Sequence, residues 1–542
     1  MLKILYLFLV TLILSCNNKS TDAVTEREIP PVVKDSTDFR EFRVLDSRYI
    51  RKDDLWKPFN KELKDFTEKT YNSLKPLVLE QDIPTLQKHI VDGNLSYKKL
   101  TKFYLYRIRK FDRLNPLSLN SVITLNPKVI SQAKQKDKEF RNKKLKHPIF
   151  GMPILLKDNI NAASMPTTAG AVALQGNTVE DAFITARLKS NGALILGKAN
   201  LSEWAYFFCG ECPSGYSAIG GQTLNPYGRR TMDTGGSSSG SGVSVTANFS
   251  AGAVGSETSG SILSPSSSNS IVGLKPTIGL LSRSGIVPIS STLDTPGPMT
   301  KYVIDNAILL DAMSGFDDSD SKSIKRQIKG YSKSLSDGSI EGKRFGAFKR
   351  FMDDSLYVAA IKVLIDNGAE VVEVNEIEVN RSGFINLLNL DMRKDLPVYL
   401  DTYASKNIQV ASVQEVIDYN NLDSVNRAPY GQRLFKGIVA DPGNLQYLDS
   451  IKTDLKTKSR LYFDTPSNEQ QLDGFLSINN FHAGYAAAAE YPAVTVPMGY
   501  RENGRPRGLT FISKPLSEKS LLEWAYVYEQ SSKKRVAPVN YN

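Results

Sequence analysis

Two serine- and glycine-rich runs, "GGSSSGSG" at 235–242 and "GSETSGSILSP" at 255–265, gather the residue types most able to do chemistry in this chain. Glycine admits close approach and unusual backbone angles, and consecutive N–H groups without bulky side chains make a cradle for a developing negative charge. Serine adds a nucleophile, or a hydroxyl that passes protons. The same composition suits a flexible linker, but the flanks argue for order. Small apolar residues, "VSVTANFSAGAVG", join the two runs, and "IVGLKPTIGLLSRSGIVPIS" follows directly. A solvated linker is not packed between such segments.

Competing chemistries are weaker. "GALILGKA" at 192–199 nearly matches a phosphate loop, but Ala199 replaces the Ser or Thr that would hold magnesium, and the intervening residues are apolar enough for a buried strand. "GSSSG" at 236–240 matches the G-x-S-x-G elbow without the apolar strand that must precede it. A Ser-His-Asp triad would have to recruit one of three histidines, His89, His147 or His482; only His482 comes into question, and it suits a structural role better. Cys209 and Cys212 form a lone C-x-x-C pair, for which a local disulfide or two unpaired thiols fit better than zinc, since no further ligands are identifiable.

The elements around these runs follow from periodicity. From Ser96, a plausible N-cap, Leu100, Tyr104, Ile108 and Phe111 fall on one helical face. "HPIFGMPILLKDNI" reads as a loop entering an apolar strand that ends at Lys157. "DAFITARLKSNGALILGKANLSEWA" reads as helix, turn, strand, helix, and "SLYVAAIKVLIDNGAEVVEVNEI" as helix, Asn-Gly turn and strand. Such alternation predicts an α/β fold with a sheet covered by helices on both faces. The stretch from about 320 to 470 is the least legible.

With 542 residues, 41% hydrophobic and 23% charged, the chain has ordinary globular composition and can bury a large core. Its formal charge of +11, or +10 without Lys3, is interleaved with acids, and no basic-aromatic stripe marks a nucleic-acid partner. The N-terminus, "MLKILYLFLVTLILSCNNKS", carries an eleven-residue apolar run from Ile4 to Leu14. That is too short to cross a bilayer core of about 30 Å but fits a secretory signal. "ILSC" resembles the lipobox of bacterial lipoproteins, which implies lipidation at Cys16 and an exported chain anchored on the periplasmic or extracellular face. The polar, Pro-containing segment after it suits a tether. The expected organisation is a signal peptide at 1–15, a tether at 16–38, a helical segment at 39–78 and one large domain at 79–542.

The region "GGSSSGSGVSVTANFSAGAVGSETSGSILSPSSSNSIVGLKPT" resembles the amidase signature family of serine hydrolases, and the resemblance extends from about residue 80 to about 530. It takes in "HPIFGMPILLKDNI", "TTAGAVALQ", "LILGKANLSEWA", "GGQTLNP", "TPGPMT" and "EYPAVTVPMGYRENGRPRGLTFISKPLSEKSLL". It implies a single α/β domain with a mixed, twisted sheet, hydrolysis of a carboxylic amide, and a Ser-cisSer-Lys triad. By that resemblance Lys157 is the base, Ser237 the relay after a cis bond that Gly236 permits, and Ser261 the nucleophile. The two serines stand 24 residues apart, the family's usual spacing. Thr258, Ser259 and Gly260, with Ser261, would supply the oxyanion hole. No metal or organic cofactor is needed, and the partners are a small-molecule or peptide amide and the membrane.

The residue types make independent sense. A serine hydroxyl needs a neighbouring base. A lysine can serve once its pKa falls from about 10.4 to near 7, roughly 4 kcal/mol of differential stabilisation that burial supplies. Asp158 would point to the opposite face of the strand, away from Lys157. Against the family text "GTDTGGSIR", this chain has Glu257, Ser259 and Leu263. Glu257, the "GGSSSGSG" form and "NLSEW" resemble the branch that includes peptide amidases. Glu490 stands where the family often has Gly. The alternatives are a catalytically silent lipoprotein that binds peptides or amides, disfavoured by intact Lys157, Ser237 and Ser261, and the glutamine-hydrolysing subunit of a tRNA amidotransferase, disfavoured by the export signal.

Overall fold

Short apolar runs too brief for helices become strands buried on both faces, and helices supply the cover. The computed structural model describes residues 42–113, 115–141, 147–325, 329–333 and 335–542; the segments 1–15 and 16–38, with Cys16, lie outside them. Its strands are β1 (Val122–Leu125), β2 (Pro153–Lys157), β3 (Leu194–Ala199), β4 (Tyr216–Ser217), β5 (Gly221–Gln222), β6 (Gly252–Glu257) and β7 (Val272–Lys275). They continue with β8 (Thr295–Thr300), β9 (Arg344–Phe348), β10 (Glu370–Val374), β11 (Gly474–Ile478), β12 (Ala493–Tyr500) and β13 (Pro506–Ile512). Among the described residues, β4 and β5 form a small ladder and the other eleven strands one sheet, in the order β1-β3-β2-β6-β8-β7-β12-β13-β11-β9-β10.

The sheet is mixed. β2 runs parallel to both β3 and β6, while β6 and β7 each pair antiparallel with β8. β2, β3, β6, β7 and β8 are buried along their whole length, which is why they read as continuous apolar or small-residue runs. β10 ends the sheet with Glu370 and Glu373 exposed, charges that discourage edge pairing. The α/β expectation holds, with one domain and helices packed on the sheet.

Local expectations hold in most places. Helix Tyr97–Phe111 starts where Ser96 Oγ accepts the Lys99 amide at 3.2 Å, and buries Leu100, Tyr104, Ile108 and Phe111. Helix Ser355–Asp366 turns at Asn367 and Gly368 into β10. The expected helix after Ala199 is instead a short 3-10 turn, Glu203–Tyr206, with left-handed residues inside it. The illegible middle is a helical layer that includes Phe384–Thr402, Val413–Asn421, Arg433–Ala440 and Leu448–Gln470. Its apolar cluster, including Leu390, Val416 and Phe435, is continuous with Trp204 and Phe208.

Buried Arg535 ties the segment after the last α-helix to the helices near residue 80 and to the centre of the fold. Arg535 meets Glu80 through Nε at 2.8 Å and Nη2 at 2.9 Å, and donates to the carbonyl of Ser270 at 2.7 Å. Burial would raise the Glu80 carboxyl, but Arg535 overrides it and holds the pKa down to about 2. A carboxyl held below its unfolded value contributes its stability in full above the unfolded pKa and loses it as pH falls towards the folded one, here about 3 kcal/mol lost between roughly pH 4.5 and 2. Glu80→Gln is therefore expected to melt well below the wild type at pH 7, with the two curves converging towards pH 2; equal melting temperatures at pH 7 would contradict this.

Candidate active site

Because β2 and β6 are parallel neighbours, their carboxyl ends lie at the same edge of the sheet. Lys157 closes β2 and is fully buried. Its Nζ lies 2.7 Å from Ser237 Oγ, 3.0 Å from the Ser256 carbonyl oxygen and 2.9 Å from Ser256 Oγ. Asn159 Nδ2 also donates to Ser256 Oγ, at 2.9 Å. Burial drives the Lys157 pKa down to about 7, against the opposing pull of Asp294 and Glu257. Asp158 faces the other way. It pairs with fully buried Lys198 at 3.3 Å and accepts from the Thr168 amide at 3.1 Å. The lysine of the phosphate-loop look-alike is thus the partner of Asp158.

The two Ser/Gly runs are laced together. Ser238 N donates to the Ser261 carbonyl at 3.1 Å, and Ser238 Oγ both donates to the Ser256 carbonyl at 3.1 Å and accepts its amide at 3.2 Å. The Gly236–Ser237 bond is cis, and the Ser237 carbonyl accepts the Ser202 amide at 3.0 Å. Gly235 has φ +63°, and a Cβ there would stand 2.7 Å from the backbone of Ser264 and Pro265, so glycine is required on both counts. Lys157 and Ser237 are in direct contact, while Ser261 joins the site through its carbonyl and remains 9% exposed.

Ser261 sits between β6 and the short helix Leu263–Ser268. Glu257 Oε2 accepts the amides of Ile262 at 2.7 Å and Leu263 at 3.0 Å, which draws the chain into a tight loop. Gly260, at φ +94°, turns that loop. The amides of Ser259, Gly260 and Ser261 donate to no protein acceptor among the described residues. Thr258 donates its hydroxyl to Asp294, whose other oxygen accepts the amides of Ile289 at 2.8 Å and Ser290 at 2.9 Å. Burial pushes the Asp294 carboxyl up to about 6.

The departures from the family text acquire local reasons. Glu257 reaches the two amides of the following turn, and Leu263 is buried in an apolar cluster with Phe475 and Ala483. Glu490 ends helix Ala483–Ala489 at φ +62°, a conformation that favours glycine, and forms ion pairs with Lys456 at 2.5 Å and Lys322 at 3.5 Å. His482 bridges Ser477 at 2.7 Å and Glu376 at 2.8 Å. Burial holds it down to about 4, hence neutral, and Ser477 is fully buried, so this Ser-His-Glu set braces the fold. Cys209 and Cys212 form a disulfide.

Sequence reasoning overlooked three polar partners. Ser256 lies inside a run already singled out, and Asn159 stands two residues from Lys157, the interval that returns an extended chain to the same face. Asp294 had no local signal, since it arrives from the far end of a loop. A cavity of about 590 Å³ opens beside these groups, lined by Asn159, Ser256, Thr258 and Asp294, by the loop from Ile286 to Ile289, by Val398, Tyr399 and Thr402 of helix Phe384–Thr402, and by Tyr403 just after it.

Residues 99–419, more than half of the chain, match the model of the family described as Amidase. The chain belongs to the amidase family. A protein of Arabidopsis thaliana described as a probable amidase is 37% identical over 476 residues, 85% of this chain and 92% of the relative. The crystal structure of an amidase family protein from Bacillus anthracis str. Ames superposes with a TM-score of 0.87 at 36% identity, covering 93% of this chain and all of the other. Native peptide amidase from Stenotrophomonas maltophilia gives a TM-score of 0.79 at 38% identity, covering 85% of this chain and 98% of the other. This amidase is thus an enzyme of carboxylic amide C–N hydrolysis on a family-typical mixed sheet.

In this amidase, removing Glu257 leaves two buried amides without an acceptor, which costs about 2 to 4 kcal/mol. Glu257→Ala is expected to show that loss in urea unfolding. Glu257→Gln, which keeps an acceptor oxygen, should lose less than about 1 kcal/mol; equal losses would remove the anchoring role.

Proposed function

We propose that this amidase hydrolyses a peptide-type amide through an acyl-enzyme on Ser261, with Ser237 as proton relay and Lys157 as base. One observation carries the reading: a fully buried lysine whose pKa lies near 7 stands 2.7 Å from a serine hydroxyl beside the Ser261 loop. A neutral amine has two hydrogens and one lone pair. The hydrogens go to the carbonyl and hydroxyl oxygens of Ser256, the latter steadied by Asn159, and the lone pair faces the Ser237 hydroxyl.

The steps balance. Ser261 Oγ bonds to the amide carbon while its proton passes through Ser237 to Lys157, and the carbonyl oxygen takes the negative charge. The backbone amides of Thr258, Ser259, Gly260 and Ser261 receive that oxyanion. The C–N bond then breaks as the same proton returns through Ser237 to the leaving nitrogen. Water then attacks the acyl carbon as its proton passes through Ser237 to Lys157, the bond between that carbon and Ser261 Oγ breaks, and the proton returns through Ser237 to Ser261 Oγ as the acid leaves. Asp294 steadies this loop through Thr258.

For the substrate, the 590 Å³ cavity with its apolar wall leaves much space unfilled by a simple amide, and likeness to the Stenotrophomonas maltophilia peptide amidase supports a peptide C-terminal amide or a similar extended group. For the location, the apolar run, the "ILSC" ending at Cys16 and the polar stretch to residue 38 support an exported, lipid-anchored enzyme. A disulfide at Cys209 and Cys212 suits an oxidising compartment.

Only the neutral amine takes a proton, so kcat/KM should rise about tenfold per pH unit up to about pH 7 and level off above it. Ser261→Ala should lose at least about a thousandfold in rate with an unchanged melting curve. A fluorophosphonate should form an adduct on Ser261 that Lys157→Ala abolishes, whereas an adduct elsewhere would refute the assignment. Cys16→Ala, expressed in a bacterium that processes lipoproteins, should leave the membrane fraction; retention there would count against the anchor.

A further inference from the structure

Trp204, Ala205 and Tyr206 have φ values of 50°, 54° and 77°, three successive non-glycine residues in the left-handed region. Such a run persists only where its surroundings over-determine it, and it is a mark of functional sites. The upstream end is held on the proposed relay: the Ser202 amide donates to the Ser237 carbonyl at 3.0 Å, and Ser202 Oγ accepts the Gly215 amide at 2.8 Å. Within the turn, buried Trp204 donates its amide to the Ala169 carbonyl at 2.9 Å and packs its ring at a tilt against Phe435, with centroids 5.3 Å apart. Downstream, Tyr206 Oη donates to the Cys212 carbonyl at 3.0 Å, and Cys212 is bonded to Cys209. Between the two ends, Ala205 lines the 590 Å³ cavity.

We propose that the turn 204–206, fastened by the Cys209–Cys212 disulfide, is a positioning element that sets one wall of the substrate cavity and so selects for extended substrates. The inference rests on reading Ser261 and Ser237 as nucleophile and relay. The two ends of the turn have separate tasks. The Ser202 contact keeps the wall in register with the relay, and the disulfide loop keeps Ala205 in the wall. Loss of the disulfide loosens the second end, which the Phe208 carbonyl still ties to the amides of Leu434 at 2.9 Å and Phe435 at 3.3 Å, and leaves the first in place. Binding along the cavity then weakens while the reactivity of Ser261 is retained.

The test compares two inhibitors on the full-length protein, a ten-carbon alkyl fluorophosphonate that extends into the cavity and diisopropyl fluorophosphate, which does not. For the double variant Cys209→Ala, Cys212→Ala, the concentration for half-maximal labelling by the long probe should rise at least fivefold, with small-probe labelling within twofold of wild type. Ala205→Gly suits the left-handed backbone and removes one wall atom, so it should show the same change in selectivity with no fall in melting temperature. A bracing role alone would lower melting temperature without changing the ratio between probes. Unchanged ratios in both variants, or parallel loss with both probes, would overturn the proposal. Wild-type protein that forms no adduct on Ser261 would instead overturn the reading beneath it, and the proposal with it.

Discussion

Everything in the proposed relay depends on one buried amine that gives up its proton near neutral pH. Water around Lys157 would restore its ordinary basicity, and a carboxylate in contact would do the same. The fold prevents both. β2 carries the residue into a sheet interior, and the adjacent Asp158 is turned away and neutralised by Lys198 from β3. Glu257 and Asp294 are near enough to oppose the effect, yet each carboxylate is occupied, one by the turn after Ser261 and the other by Thr258 and two loop amides.

Those occupations also align the loop that carries Ser261. β6 delivers it, Glu257 draws its far side inward, and Asp294 holds its near side through Thr258. The loop from 286 to 294 that brings Asp294 is itself held by the helical layer, since Ser290 donates to Asp391 at 2.5 Å and the Ser291 amide to Asp395 at 2.6 Å. Helix Phe384–Thr402 therefore serves twice, as a cavity wall and as a brace for the loop beside the proposed nucleophile.

Much of this was legible because the buried sheet writes itself plainly. Uninterrupted short apolar runs at 153–157 and 194–199, and the helix-turn-strand at 355–374, have few alternative readings. The helical layer was not legible for identifiable reasons. Pro397 and Pro466 lie inside long helices and read as breaks, and helix Leu448–Gln470 buries too few apolar side chains to show a stripe. At the site, motif spacing indicated Lys157, Ser237 and Ser261, but a loop 36 residues downstream supplies the partner of Thr258, and no local pattern encodes that meeting. The left-handed turn at 204–206 was missed because Trp, Ala and Tyr carry no signal for that conformation; burial and neighbours impose it.

The strand order has a consequence for how the molecule is assembled. β12 and β13, residues 493–512, follow all the other strands of the sheet in chain order, yet they lie inside it, joining β7 on one side to β11 on the other. Removing β12 and β13 would thus divide the sheet into two unconnected parts, of six and three strands, instead of trimming an edge. The pairing of β7 with β12 that joins the two parts spans more than two hundred residues, so closure of the sheet waits for β12 and carries a large loop-closure entropy.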